Sequence, residues 1–168
     1  MKSIDHPYFG HLEAPSADES EVIWEGTASL GSSKVEAWLW AGPDSGLDMG
    51  ELDAFATRLA HLPALDTAAR AAIRENLRQD RYFIDHHADE LDDAEVIRRL
   101  TREANGEAIS ADAFTAAMHP VRIGLWHLTG EAKARIVMDY TIDAETSDEL
   151  LAVKMTDDGT VTSVDWES

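Results

Sequence analysis

Hydrophobic and polar residues follow two different spacings along this chain, and the spacings divide it into three blocks. The first block, up to about residue 42, has apolar residues at every second position, as in a strand with one buried face. It predicts a short strand at 8–12 and longer strands at 21–30 and 34–41. Gly31-Ser32-Ser33 separates the longer two and predicts a hairpin, and Gly42-Pro43 ends the block.

The middle block, about 48–118, has the spacing of amphipathic helices. Its first helix carries an apolar stripe from Leu52 to Leu62 and is predicted to end at Pro63, since a proline disfavours helical geometry in the residue before it. A second helix is predicted to begin with Asp66 as its N-cap. Three more are predicted at 82–91, from about residue 92, and at 111–118.

The last block returns to a spacing of two and predicts four strands, at 121–128, 132–142, 149–155 and 160–166. Short turns between them, such as Asp157-Asp158-Gly159, predict consecutive antiparallel pairing. The sequence therefore predicts one α+β domain over 1–168. Two N-terminal hairpin strands and a four-stranded C-terminal meander form a mostly antiparallel sheet, and the central helical block packs on it.

Charge is the strongest compositional signal. The chain has 33 Asp and Glu against 14 Lys and Arg, a net charge of −19, and the excess extends over its whole length. Such a field repels nucleic acid and anionic membranes and attracts basic proteins or cations. The absence of cysteine excludes disulfides and Cys-ligated metals. With no apolar leader and no apolar run of about 20 residues, a cytoplasmic protein is expected.

Four short segments carry a family resemblance: Asp5-His6-Pro7-Tyr8-Phe9-Gly10, Ile84-Asp85-His86-His87, Asp139-Tyr140-Thr141-Ile142 and the closing Trp166-Glu167-Ser168. With these, essentially the whole chain resembles the bacterial proteins grouped as domain of unknown function 2004. The resemblance implies an α+β domain of the layout above and brings no established activity. It also suggests a role near toxin–immunity loci.

One cluster invites an enzymatic interpretation. Asp85, His86 and His87, with Asp89 one turn further on, are residue types that hold a metal ion for hydrolysis. On a helix, however, adjacent histidines point about 100° apart and do not readily face one ion. No nucleophile elbow and no glycine-rich phosphate loop is present. Catalytic residues, a metal and a cofactor are therefore not expected, and packed histidines are the competing interpretation.

A binding surface is predicted on the 22–40 hairpin. Trp38 and Trp40 share the strand face opposite Val35, Ala37 and Leu39, so helices covering the aliphatic face leave the indoles on the other side. Glu25 and Glu36 supply acidic neighbours. Aromatic rings within an acidic rim are typical of a protein-binding patch. The competing interpretation is that the indoles pack beneath a loop and the acids serve solubility.

Three functions compete on this basis. The first is an acidic cytoplasmic module that binds a basic protein, as an immunity protein binds a toxin, with no role in nucleic-acid or membrane binding. The second is a metal-dependent hydrolase centred on Asp85, His86 and His87. The third is a housekeeping domain with no defined ligand. The first is favoured, because basic toxins that act on nucleic acid are open to inhibition by an acidic protein.

Overall fold

A computed structural model describes residues 2–16, 18–43, 46–90, 94–102, 108–128 and 135–168, without the side chains of residues 90 and 94. It confirms the predicted α+β fold class. The strands are β1 (Ser3–His6), β2 (Gly10–Glu13), β3 (Glu21–Leu30), β4 (Ser33–Ala41), β5 (His119–His127), β6 (Ile136–Thr141), β7 (Leu150–Met155) and β8 (Val161–Glu167). The helices are α1 (Met49–Ala60), α2 (Leu62–Gln79), α3 (Tyr82–Glu90), α4 (Ala94–Thr101) and α5 (Ala111–Ala117).

Six strands form one sheet in the order β3-β4-β5-β6-β7-β8. Strands β3 and β4 form an antiparallel hairpin, and β5 to β8 form an antiparallel meander. The two parts are joined by one parallel pair, β4 and β5. The parallel pair arises because the helical block lies between them in the chain and returns it to the same end of the sheet. The C-terminal meander is confirmed, and so is the confinement of the described helices to the middle block. The predicted helix start near residue 92 and the first residues of the strand predicted at 132–142 lie outside the described residues.

One face of the sheet carries the core. Val35, Ala37 and Leu39 of β4 are buried there, as the alternating pattern predicts. The helix α2 lies across this face and contacts β3, β7 and β8, and its buried stripe runs from Leu62 to Leu77. The opposite face, called the open face below, is formed by the other residues of each alternating strand. None of the described helices is both long and apolar enough to span a membrane.

The N-terminus departs from the sequence prediction. A strand was predicted at 8–12, but the chain turns at residues 7–9 and forms a separate hairpin of β1 and β2. The turn places Phe9 edge-on to Trp24, with ring centroids 4.9 Å apart. A β-bulge between Val22 and Trp24 also shifts the alternation, because Val22 pairs with Trp40 whereas Trp24 pairs with Leu39. Val22 and Trp24 therefore lie on opposite faces of the sheet, whereas uninterrupted alternation along the strand predicted at 21–30 would place both on the same face.

The boundary between α1 and α2 also differs from the prediction. Pro63 lies in the first turn of α2, a position that a proline tolerates because the backbone N–H it lacks would have no partner there. Asp66 is therefore inside the helix and does not cap it. Its carboxylate accepts hydrogen bonds from Arg70 Nε (2.9 Å) and from the Tyr140 hydroxyl of β6 (2.7 Å). Asp66, which the sequence predicted as the N-cap of this helix, instead joins α2 to the sheet.

Candidate binding cleft on the open face of the sheet

The five tryptophans divide between the two faces of the sheet. Trp24 and Trp166 lie on the helical side, where Trp24 packs on Phe9 and Trp166 packs on Phe83. Trp38, Trp40 and Trp126 lie on the open face and are half-buried. Three large aromatic side chains therefore stand together on a face that no described helix covers.

The three open-face indoles form a continuous aromatic wall. Trp40 and Trp126 are direct cross-strand neighbours on β4 and β5, and their rings stack with centroids 4.9 Å apart and planes 6° from parallel. Trp38 lies 6.2 Å from Trp40 and is tilted by 53°. Cross-strand aromatic contacts of this kind stabilise a sheet by roughly 0.5–1.5 kcal/mol beyond the area they bury. The wall is thus held rigidly by its own strands.

A cleft opens beside this wall because the residue opposite Trp38 is a glycine. At Gly124 a Cβ atom would lie 3.1 Å from the Trp126 indole nitrogen, so a larger residue would crowd the ring. The resulting cavity has a volume of about 400 Å³. Leu128 and Val137 complete its apolar part. We call this cavity, together with its charged end, the tryptophan cleft.

The charged end of the tryptophan cleft holds two basic and two acidic side chains: Arg122, Lys154, Asp139 and Glu167. The guanidinium of Arg122 stacks on Trp38, 4.0 Å from the ring centroid, and lies 3.9 Å from Glu36. The ammonium of Lys154 pairs with Asp165 at 3.1 Å and with Glu167 at 3.3 Å. Lys154 is therefore paired within the protein, whereas the buried Nε of Arg122 makes no hydrogen bond within the described residues and has only the distant Glu36 carboxylate as an ion-pair partner.

Asp139 differs from its neighbours. Among the described residues its carboxylate makes no hydrogen bond or ion pair, and it is partly buried between strands β5 and β7. Its pKa is raised to about 6, chiefly because burial disfavours the charged form; Arg122 and Lys154 oppose this rise, and Glu167 contributes to it. A partly desolvated carboxylate in a cleft is a typical feature of functional sites.

The predicted binding residues lie at this cleft. Trp38 and Trp40 form part of its wall. Glu25 is the cross-strand neighbour of Trp38, and Glu36 is the neighbour of Arg122. Both glutamates are exposed and stand on the open face. The structure thus brings the four residues together on one surface.

The residues of the alternative metal-site hypothesis, Asp85, His86, His87 and Asp89, do not converge. His87 is buried, its Nδ1 donates to the Phe83 carbonyl (2.8 Å), and its Nε2 lies 2.9 Å from Ser147 Oγ. His86 packs on Trp166, whereas Asp85 and Asp89 are exposed. Within the described ranges, no group of three or more His, Asp or Glu side chains is placed to hold a metal ion. His86 and His87 are packed against other side chains, in agreement with the interpretation of this cluster as packed histidines.

Trp126, Arg122 and Asp139 were missed by the sequence prediction, although they belong to the cleft. Their alternation along β5 and β6 places them opposite the core residues, so the face of each was readable from the pattern. The pairing of β5 beside β4 was not readable, because it follows from the helical crossover. Only that pairing places Trp126 against Trp40.

Known proteins give no further guide to the cleft. No family model, curated protein or solved structure matches the chain.

Proposed function

We propose that this chain is an acidic, cytoplasmic protein-binding module that neutralises a basic toxin or effector by direct binding, in the manner of an immunity protein. The chain acts as a binder and not as an enzyme. Kinship with the domain of unknown function 2004 family is part of the same proposal, and the α+β layout is compatible with it.

The observation that carries the proposal is the aromatic wall of Trp38, Trp40 and Trp126 on the open face. Tryptophan is among the residues that contribute most to binding energy at protein interfaces, above all where it sits in a packed, partly desolvated setting. Here three such rings are half-buried, held by cross-strand packing and bordered by a cleft. This surface offers a partner a rigid apolar centre.

Charge supports the choice of a basic partner. On the open face the acidic side chains outnumber the basic ones, Glu25, Glu36, Asp139, Asp165 and Glu167 against Lys34, Arg122 and Lys154. The whole chain carries −19. Acidic rims accelerate encounter with basic proteins, while the aromatic centre controls dissociation. Toxins that act on nucleic acid are basic, so this combination suits their inhibition.

The test uses the gene adjacent to this one, since an immunity protein is encoded beside its toxin. The adjacent product is expressed in a tester strain with and without this chain, and growth is measured. We expect toxicity without the chain and rescue with it. Trp40→Ala is expected to weaken binding of the purified pair by about 2 kcal/mol or more, measured by calorimetry, because an anchor is truncated.

Tyr82→Ala is the matched control, because Tyr82 is a 64% exposed aromatic residue that packs on Trp166, on the helical side of the sheet. It is expected to leave both rescue and affinity unchanged. The proposal is wrong if the adjacent product is harmless, if it is toxic but not bound, or if Tyr82→Ala weakens binding as much as Trp40→Ala.

A further inference from the structure

We infer that the tryptophan cleft is a receptor for a single arginine side chain of the partner protein, with the guanidinium paired to the Asp139 carboxylate and stacked beside Trp40 and Trp126. This deepens the proposed function and rests on it, because it names the group by which the open face recognises a basic partner. The volume of about 400 Å³ fits one long side chain and excludes a folded segment.

The contacts among the charged residues of the tryptophan cleft indicate the charge of the ligand. Arg122 is stacked on Trp38 near Glu36, and Lys154 is held by Asp165 and Glu167. Asp139 is the lining group whose charge has no hydrogen-bonding or ion-pairing partner among the described residues. An incoming cation would supply that partner, whereas an incoming anion would find one charged donor without a hydrogen bond among the described residues, the buried Nε of Arg122, and would be repelled by the carboxylates of Asp139 and Glu167.

The shape of the wall favours arginine over lysine. The Trp40 and Trp126 rings stack on each other within 6° of parallel, so a ligand can contact the outer face or the edges of the stacked pair. A planar guanidinium stacks on an indole and can bind a carboxylate through two parallel N–H groups, whereas an ammonium is a strongly hydrated point charge. The stacking of Arg122 on Trp38 in the same cleft shows that this surface accommodates a guanidinium.

The partial burial of the Asp139 carboxylate is unfavourable for its charged form, and a role in binding a guanidinium explains this arrangement. Its carboxylate is partly desolvated and faces Arg122 from β5, Lys154 from β7 and Glu167 from β8, yet its pKa remains raised. An entering guanidinium would stabilise the ionised form and lower that pKa. Arginine binding should therefore release protons below about pH 7 and tighten as pH rises from about 5 to about 7.5.

The experiment is an NMR titration of the full chain with a capped Gly-Arg-Gly peptide, observing the indole N–H signals. Trp40→Phe and Trp126→Phe assign the two relevant signals. We expect these signals to shift saturably with the arginine peptide. The isosteric but neutral citrulline peptide and the lysine peptide should bind at least about tenfold more weakly, since a charge-assisted, bidentate pair is lost.

Asp139→Asn is expected to weaken arginine-peptide binding about tenfold or more and to remove its pH dependence, because the ionised partner is lost. Asp148→Asn, an exposed acid outside the cleft, is the matched control and should change neither. The inference is overturned if the indole signals do not shift, if citrulline or lysine binds as well as arginine, or if Asp139→Asn has no effect.

Failure of this inference and failure of the proposed function are distinguishable. If the peptide does not bind but Trp40→Ala still abolishes rescue from the adjacent gene product, the open face binds the partner without an arginine in the cleft. If the peptide binds as expected but the adjacent product is not neutralised, the cleft is an arginine receptor for a different protein.

Discussion

At the scale of single residues, Asp139 combines a functional position with a stability cost. Its folded-state pKa of about 6 lies above the ordinary value for an aspartate, chiefly because burial disfavours the charged form. Between about pH 4 and pH 6 the folded protein therefore binds more protons at this residue than the unfolded chain does. Stability conferred by this residue is greatest at low pH and falls as pH rises through that window.

Replacing Asp139 with Asn is expected to stabilise the folded protein by about 1 kcal/mol at pH 8. The raised pKa would correspond to up to about 3 kcal/mol, and we discount this because the carboxylate is only partly buried. Below about pH 4 the two proteins should be equally stable, since the carboxyl is neutral in both states. Urea unfolding at several pH values measures the difference.

Asp148→Asn provides the comparison for that series and should show no such gain at pH 8, because Asp148 is exposed. If Asp139→Asn were instead destabilising at pH 8, the carboxylate would have to be stabilised by its neighbours, contrary to the raised pKa.

At the scale of elements, β6 connects the two sides of the sheet. Successive residues point to opposite faces, so Asp139 lies in the tryptophan cleft while Tyr140 is fully buried under α2. The Tyr140 hydroxyl donates to Asp66, which also pairs with Arg70 in the same helix. Burial and the neighbouring Asp66 carboxylate both raise the pKa of Tyr140, so its hydroxyl keeps its proton. This contact fixes the helix α2 over the strand that carries Asp139.

Tyr140→Phe is expected to destabilise the protein by about 1–2 kcal/mol, because one buried hydrogen bond to a charged acceptor is lost while Arg70 still satisfies Asp66. Tyr82→Phe removes the same hydroxyl from an exposed ring and should change stability by less than about 0.5 kcal/mol. Thermal or urea unfolding of both variants tests the pair. Equal effects would mean that the Tyr140–Asp66 bond does not join helix and sheet.

At the scale of the whole molecule, the charge of −19 affects every encounter, because the excess of acidic residues extends along the entire sequence. Long-range attraction of this kind changes association rates more than dissociation rates. It also weakens as salt shortens the screening length from about 10 Å to about 3 Å.

Association with a basic partner is therefore expected to slow steeply with rising salt, whereas dissociation should change little. Glu36→Lys should lower the association rate and the salt slope, since it reverses an exposed charge at the rim. Trp38→Ala should raise the dissociation rate and leave the slope unchanged. Stopped-flow measurements over a salt series separate the two. A salt-independent association rate would show that the charge serves solubility alone.

The candidate site shows which features the alternation of hydrophobic residues can predict and which it cannot. The alternation in β4 placed Trp38 and Trp40 opposite Val35, Ala37 and Leu39, and this was confirmed because a pleated strand must alternate its side chains. In β3, by contrast, a bulge between Val22 and Trp24 interrupts the alternation, because it adds one residue to one strand and leaves no mark in the hydrophobic pattern.

By itself, the sequence determined the α+β class, the antiparallel meander, the helical middle block and the acidic character, because periodicity, turn residues and charge are local properties of the chain. Tertiary structure alone decided that β5 pairs in parallel with β4, which brings Trp126 onto Trp40 and opens a cleft over Gly124. It also decided that Asp139 lies in that cleft, partly buried. Contacts between residues so far apart in the chain depend on how the helical crossover returns to the sheet, and no local pattern encodes that return.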